Sequence, residues 1–299
     1  MSLEAQILLE ARRLGFAAAG IATAAPAETI EVFNRWRAAG RAARMDYLSR
    51  HAALRADPRR LAPGVRSIIV VAARYPVNSR PGRGFSSYAR GRDYHAVLRA
   101  KLQELSVFIE RHAVLSVSRI CVDSAPILER EWAVRAGLGW RGKQGQIVSE
   151  QAGCCLVLGE LLVDLALRPT PGVPNRCGAC RLCLDACPTG ALGADGLVDA
   201  RKCLAYLTIE HDGEFPDELR PLLGAALFGC DLCTAVCPWN RAGDELVMPE
   251  LAARPMPTAE ACLAMTDKEF QERFRDTCIL RSGPARLRRN AAAVLANLP

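Results

Sequence analysis

The chain has 299 residues, half of them apolar, enough to bury the core of one large domain or two ordinary ones, and a net charge of +7. Its longest apolar stretch, 154–167, is interrupted by Glu160 and Asp164, and Met1-Ser2-Leu3-Glu4 puts no basic segment ahead of an apolar core. Neither a membrane span nor a secretory signal is therefore expected, and the cytoplasm is the expected address. The positive charge suits a polyanion such as RNA, and equally ordinary solubility.

Leu3, Ile7, Leu8, Ala11 and Leu14 recur at helical spacing before Gly15, which predicts an amphipathic helix over 3–15. The β-branched run from Ser67 to Ala72, behind Pro63-Gly64, predicts a buried strand. Val97, Leu98, Leu102, Leu105 and Phe108 predict a helix over 93–112, and Arg119-Ile120-Cys121-Val122 a second strand. Strand, helix, strand implies an α/β or α+β domain. Arg168 to Pro174 holds three prolines and a glycine, which predicts a domain boundary. Beyond Pro238 the pattern is helical. It ends in one basic helix from Arg286 to Leu295, whose Arg286, Arg288 and Arg289 suit an RNA backbone or an ordinary charged face alike.

Thirteen cysteines gathered at short spacings, in a large chain without a signal, favour metal ligation over disulfides. Cys177, Cys180, Cys183 and Cys187, followed by Pro188, reproduce the C-x2-C-x2-C-x3-C-P run of bacterial ferredoxins, in which the fourth cysteine serves the other cluster. Cys230, Cys233 and Cys237-Pro238 form a second, incomplete run, with Cys203 as the remaining candidate. The expectation is two 4Fe-4S clusters, one on Cys177, Cys180, Cys183 and Cys237, the other on Cys187, Cys203, Cys230 and Cys233. Zinc, the alternative for two-residue gaps, does not require this run. Cys121, Cys154, Cys155, Cys262 and Cys278 lack such spacing and read as core thiols. No G-x-G-x-x-G follows a strand and no P-loop occurs, so no bound dinucleotide is indicated.

Other stretches carry a family likeness: Met45-Asp46-Tyr47-Leu48, Leu54-Arg55-Ala56-Asp57-Pro58, Tyr88-Ala89-Arg90-Gly91-Arg92-Asp93-Tyr94-His95, Val122-Asp123-Ser124-Ala125-Pro126, Ala136-Gly137-Leu138-Gly139-Trp140, and Gly229 to Asn240. On these the chain resembles the epoxyqueuosine reductase family over nearly its whole length. The resemblance implies a cobalamin-dependent enzyme that removes the epoxide oxygen of a modified wobble nucleoside in the tRNA anticodon stem-loop, using two electrons from a donor such as a flavodoxin or ferredoxin. It implies a monomer with an α/β (α+β) cobalamin-binding domain over 1–168, a bacterial-ferredoxin-like domain over 169–245 and a short helical segment over 246–299.

By the same resemblance Asp123 donates the proton to the leaving oxygen, its pKa raised by burial beside Val122, Ala125, Pro126 and Ile127. Together with Arg55, Ile147 and Leu158 it contacts the corrin. Read alone, Asp123 is as well a helix N-cap ahead of 127–130, Arg55 a surface charge, and Ile147 and Leu158 core residues. The D-x-H-x-x-G motif is absent and only His51, His95, His112 and His211 occur, so no histidine lower ligand is expected. Lys143 suits a phosphate, a corrin amide or a solvated loop, and Tyr88, Tyr94 and Trp140 suit base stacking or the core. Gln144 and Cys154-Cys155 depart from the family pattern, and the chain stops at Pro299 where many relatives continue into helical repeats. A small-molecule dehalogenase, usually exported behind a twin-arginine signal absent here, and a plain electron carrier are the rival readings.

Overall fold

Ser2 caps helix α1 (Leu3–Arg13) by accepting the Ala5 N–H at 3.4 Å, and Gly15, at φ +92°, turns the chain into the first strand. The computed structural model describes residues 1–193, 195–240 and 244–297. Its strands are β1 (Ala18–Thr23), β2 (Ser67–Arg74), β3 (Arg83–Phe85), β4 (Ser118–Cys121), β5 (Trp140–Arg141), β6 (Ile147–Val148), β7 (Leu156–Val163) and β8 (Ala225–Phe228). Four of them make one antiparallel sheet in the order β1-β2-β7-β4.

The sheet is covered on both faces, which explains why β2 is an unbroken apolar run. Side chains alternate along each strand. Ile69, Val71, Leu161 and Val163 therefore pack with Ile7 of α1 and with Leu98, Leu102 and Leu105 of the long helix α3 (Tyr94–Glu110). Ile68, Val70, Leu156 and Leu162 pack on the opposite face with Trp132, Ala133 and Ala136 of helix α4 (Glu129–Arg135) and its C-cap. The helix predicted over 93–112 is α3, opened by Asp93, whose carboxylate accepts the His95 N–H at 3.0 Å. The strand predicted over 119–122 is β4, one residue earlier.

Two sheet strands have no sequence forecast. β1 is built of small residues because α4 ends on it: a Cβ on Gly20 would lie 1.9 Å from the Ala136 carbonyl oxygen. β7 was hidden by Glu160, which the sheet buries completely. The proline-rich stretch 168–174 has no regular structure, yet it is fastened along β1, since Thr170 N–H donates to Ile21 O at 2.9 Å and Ile21 N–H to Thr170 Oγ1 at 3.0 Å.

The cysteine region carries three short helices, α5 (Leu182–Asp185), α6 (Leu204–Ile209) and α7 (Leu232–Ala235). It is joined to the preceding part of the chain by β3 and β8, which pair in parallel. The predicted basic helix is α8 (Pro284–Ala296), whose Leu287, Ala291 and Val294 pack with Phe85, Phe228, Phe270 and Phe274. Its arginines are half-buried and partnered. Arg286 donates to Ile209 O (2.6 Å) and pairs with Asp212, and Arg288 pairs with Asp267 at 2.8 Å. Arg289 donates to Leu207 O and His211 O and stacks over Phe215 at 4.2 Å. Those contacts tie the three arginines into the packing of α8 against neighbouring segments. Among the described residues no helix is long and apolar enough to cross a membrane.

Candidate active site and cluster centre

The eight cysteines sort into two foursomes in space. Cys177, Cys180, Cys183 and Cys237 line one small cavity with Lys143, Gln144 and Trp239. The Cys183 thiol is pushed up by burial and then by the neighbouring Cys177, Cys180 and Cys237. In the other group, burial pushes the Cys230 thiol up to about 12, with Cys203 and Cys187 adding to it, and moves Cys233 the same way with Cys203, Cys230 and Cys187 among its neighbours. Among the described residues no three or more His, Cys, Asp or Glu side chains could hold a metal ion between them. A cube carrying iron at its corners asks for wider spacing than one ion does, and its thiolates are deprotonated by coordination however high burial sets the free thiols.

Helices α5 and α7 explain the sequence spacing: each begins at the second residue of a two-residue gap and carries one cysteine, Cys183 or Cys233, into its group. Lys143, assigned by sequence to phosphate, corrin amide or solvent, does something else. Its ammonium donates to Gly178 O at 2.7 Å and Cys180 O at 2.8 Å, tying the first cysteine loop to the β5–β6 hairpin. Cys121, Cys154, Cys155, Cys262 and Cys278 are buried and unbridged, as core thiols should be. Trp140 is buried too, and Tyr88 and Tyr94 pack edge to face between two core clusters, so the core reading of all three aromatics is the one observed.

The second centre lies where β4 ends. Asp123 has φ +50°, rare for a non-glycine residue, and sits at the centre of a tight turn in which Ser124 N–H reaches Val122 O at 2.6 Å. Three contacts fix the turn: Asp123 N–H donates to Glu129 Oε1 (2.6 Å), Arg99 to Ser124 Oγ (3.2 Å) and Arg55 to Ala125 O (3.4 Å). The N-cap alternative fails, because α4 begins at Glu129 after an uncapped Leu128. The Asp123 carboxylate is instead 3.0 Å from His95 Nε2 and 3.5 Å from Arg281 Nη1, while His95 Nδ1 lies 2.6 Å from Asp93 Oδ1.

Electrostatics follow from that geometry and correct one expectation. Burial does push the Asp123 carboxyl up, but hydrogen bonding and charge from His95 and Arg281 outweigh it and hold the carboxyl below the usual range. Burial likewise pulls His95 down, yet its hydrogen bonds to Asp123 and Asp93 leave the imidazole raised. Glu129 is lifted to about 7, first by burial and then by the charge of Asp123. Nε2 of His95 also faces Arg281 Nη1 at 2.7 Å. With Nδ1–H committed to Asp93, one proton more or less decides whether Nε2 donates to Asp123 or accepts from Arg281.

Arg55, Ile147 and Leu158 come together around the sheet face beside this turn. Arg55, on helix α2 (Ala52–Ala56), is buried at 6 % exposure, not the surface charge it resembles in isolation, and its Nε has no partner among the described residues. Ile147 and Leu158 belong to the apolar cluster that also includes Leu54 and Ala125. Glu160 stands two residues along β7 from Leu158, hence on the same face, fully buried with both oxygens unpartnered among the described residues and its carboxyl driven well above the usual range by burial. An apolar wall with orphaned polar atoms beside it fits a bulky ligand that is apolar at its centre and edged with amides. Sequence reading missed Asp93, His95, Glu129, Glu160 and Arg281. Asp-x-His at a helix start was a usable signal for the first two, whereas nothing local marks Arg281.

The cysteine foursomes define the class, an iron–sulfur oxidoreductase: residues 176–240 match the family described as "4Fe-4S double cluster binding domain". Residues 55–124 match the family described as "Epoxyqueuosine reductase QueG, DUF1730". The chain is 41% identical to the epoxyqueuosine reductase of Escherichia coli K12 over 96% of its own length and 79% of that protein's. It is 40% identical to that of Alicycliphilus denitrificans, covering 96% and 85%. It superposes with a TM-score of 0.89 on an epoxyqueuosine reductase solved with an epoxyqueuosine-modified tRNA stem loop, at 30% identity over 99% of this chain and 81% of that one. A Bacillus subtilis epoxyqueuosine reductase, solved with its catalytic loop swung out of the active site, gives 0.87 at the same identity, covering 99% and 81%. The chain belongs to the epoxyqueuosine reductase family, enzymes that reduce epoxyqueuosine to queuosine in tRNA.

Proposed function

We propose that this epoxyqueuosine reductase delivers its proton through a coupled pair, Asp123 with His95, rather than through an aspartic acid of raised pKa. The observation that carries this reading is the 3.0 Å contact between Asp123 Oδ2 and His95 Nε2, backed by Asp93 on the other ring nitrogen. Removing the epoxide oxygen takes two electrons and two protons and yields an alkene and water. As the C–O bond breaks the oxygen gathers negative charge, and a positioned acid lowers that barrier. A depressed Asp123 is ionised near neutral pH, so the exchangeable proton resides on the imidazolium, crosses the hydrogen bond to Asp123 and is then passed by Asp123 to the oxygen, the second proton of the water coming from solvent. The two groups titrate as a unit.

Arg55, Ile147 and Leu158 would hold cobalamin beside Asp123, and the cofactor would supply the reducing chemistry for the C–O bond. Arg55 would offer its unpartnered Nε to a corrin amide, and the apolar wall of Ile147 and Leu158 would exclude water. In this reading residues 1–168 form the cobalamin-binding part, 169–245 the ferredoxin-like part and 246–299 a helical closure that contributes Arg281. The enzyme works as a monomer in the cytoplasm, takes electrons from a flavodoxin or ferredoxin, and binds the anticodon stem-loop, as its relative's complex with a stem loop suggests.

The test is anaerobic reconstitution with iron, sulfide and cobalamin, then incubation with a reductant and a stem-loop containing epoxyqueuosine, following the nucleoside by mass. Loss of one oxygen is expected. Iron uptake without cobalamin uptake or oxygen loss would reduce the protein to an electron carrier.

A further inference from the structure

We propose that Trp140 tunes the reduction potential of the cluster on Cys177, Cys180, Cys183 and Cys237 by donating its indole N–H to the Cys177 sulfur. The inference rests on the cysteine foursomes and is independent of the role given to Asp123. Trp140 Nε1 lies 3.3 Å from Cys177 Sγ, a hydrogen-bonding distance for sulfur. The ring is 2 % exposed and packs with Val148 and Cys154, with Cys177, Cys237 and Trp239 against them. Trp239, two residues beyond Cys237, meets it edge to face at 5.0 Å. One indole thus stands against the first and last ligands of the same cluster.

The hairpin that carries Trp140 is shaped for this approach. A Cβ on Gly139 would lie 2.1 Å from Val148 O, so a side chain there would pry β5 from β6. Three residues on from Trp140, Lys143 grips two carbonyls of the same cysteine loop. Cys177 N–H is itself taken up by Asn175 Oδ1 at 2.9 Å, which leaves its sulfur as the atom offered to the hairpin.

The physical consequence has a definite sign. Reduction adds one electron to a cluster whose negative charge spreads onto its sulfurs. A buried N–H dipole pointed at one sulfur stabilises the reduced form more than the oxidised form, and the low local dielectric strengthens the effect. Trp140 therefore raises this cluster's potential. An indole has a single donor, already committed to Cys177, so the cluster on Cys187, Cys203, Cys230 and Cys233 provides an internal reference.

The experiment is a redox titration of the reconstituted full chain followed by EPR, comparing wild type, Trp140→Phe and a chain with 3-benzothienylalanine at 140. The last keeps the bicyclic shape and exchanges the N–H for sulfur. Iron content is measured on each. The expected result is a more negative midpoint for one cluster in both variants, with the other cluster unmoved. Unchanged midpoints, or equal movement of both clusters, would overturn the proposal. Failure of the benzothienyl chain to assemble the cluster would also overturn it, because the N–H would then be needed for assembly and not for tuning.

Discussion

The cluster centre and the Asp123 centre differ in how the chain assembles them. The cysteines are packed into 177–237, and short loops and one-turn helices bring them into two foursomes. The Asp123 centre draws Asp93 and His95 from the start of a helix, Asp123 from the end of a strand and Arg281 from a distant segment, and holds them with hydrogen bonds and a strained turn. Ligation tolerates polypeptide variation around a fixed spacing. Proton transfer depends on tertiary placement to a fraction of an ångström.

The largest expected effect breaks the cluster side. Cys237→Ala should remove the cluster it shares with Cys177, Cys180 and Cys183, leaving about half the iron and no turnover, because each cube takes four thiolates. Cys187→Ala should instead remove the other cluster, and the EPR signals that survive in the two variants should be complementary. If both variants lost the same signal, the exchange of cysteines between the two runs would be wrong.

Next comes Asp123→Asn, which keeps shape but cannot pass a proton. Turnover should fall by roughly 10²- to 10⁴-fold, the usual worth of a positioned acid, with iron and cobalamin content unchanged. Near-normal rates would remove Asp123 from the proton path.

Glu129 gives a smaller, pH-dependent effect. Its carboxyl is raised from 4.5 to about 7 in the folded chain. The folded state therefore binds the proton more tightly, and wild type loses stability as pH rises from the unfolded value through the folded one. Glu129→Gln cannot titrate, so its melting temperature relative to wild type should climb between pH 4.5 and about 7, by on the order of a few degrees. A pH-independent difference would contradict the assigned shift. Smallest is Arg281→Ala. Arg281 is 58 % exposed, so stability should change by no more than about 1 kcal/mol. The removal of one cation beside Asp123 and His95 should nevertheless let the pair hold its proton to higher pH, moving the alkaline limb of the rate profile upward. An unmoved limb would show that Arg281 does not act on the Asp123–His95 pair.

The same contrast explains what was legible in the sequence. Cys177 to Pro188 announces itself because ligand spacing is a local property, and β2 and α3 because their periodicity is. β1 escaped because its small residues answer to the approach of α4, and β7 because buried Glu160 looks like a break. Asp123 was found through family resemblance, but its local reading as an N-cap and its expected upward pKa both failed once His95 and Arg281 stood beside it. Neither neighbour is close to Asp123 in sequence, so no window of residues could have given the sign of that shift.

The central claim is that His95 stores the proton that Asp123 delivers, and single-turnover rates against pH for wild type and His95→Gln test it most directly. The raised imidazole is fully protonated below its unfolded value of about 6.5 and loses its proton, with the stability of the ion pair, only as pH rises through the higher folded value. The wild-type rate should hold at low pH and fall through that range, and His95→Gln should be roughly ten- to a hundredfold slower with the alkaline fall abolished. A variant that keeps the wild-type rate and the same alkaline limb would contradict the account.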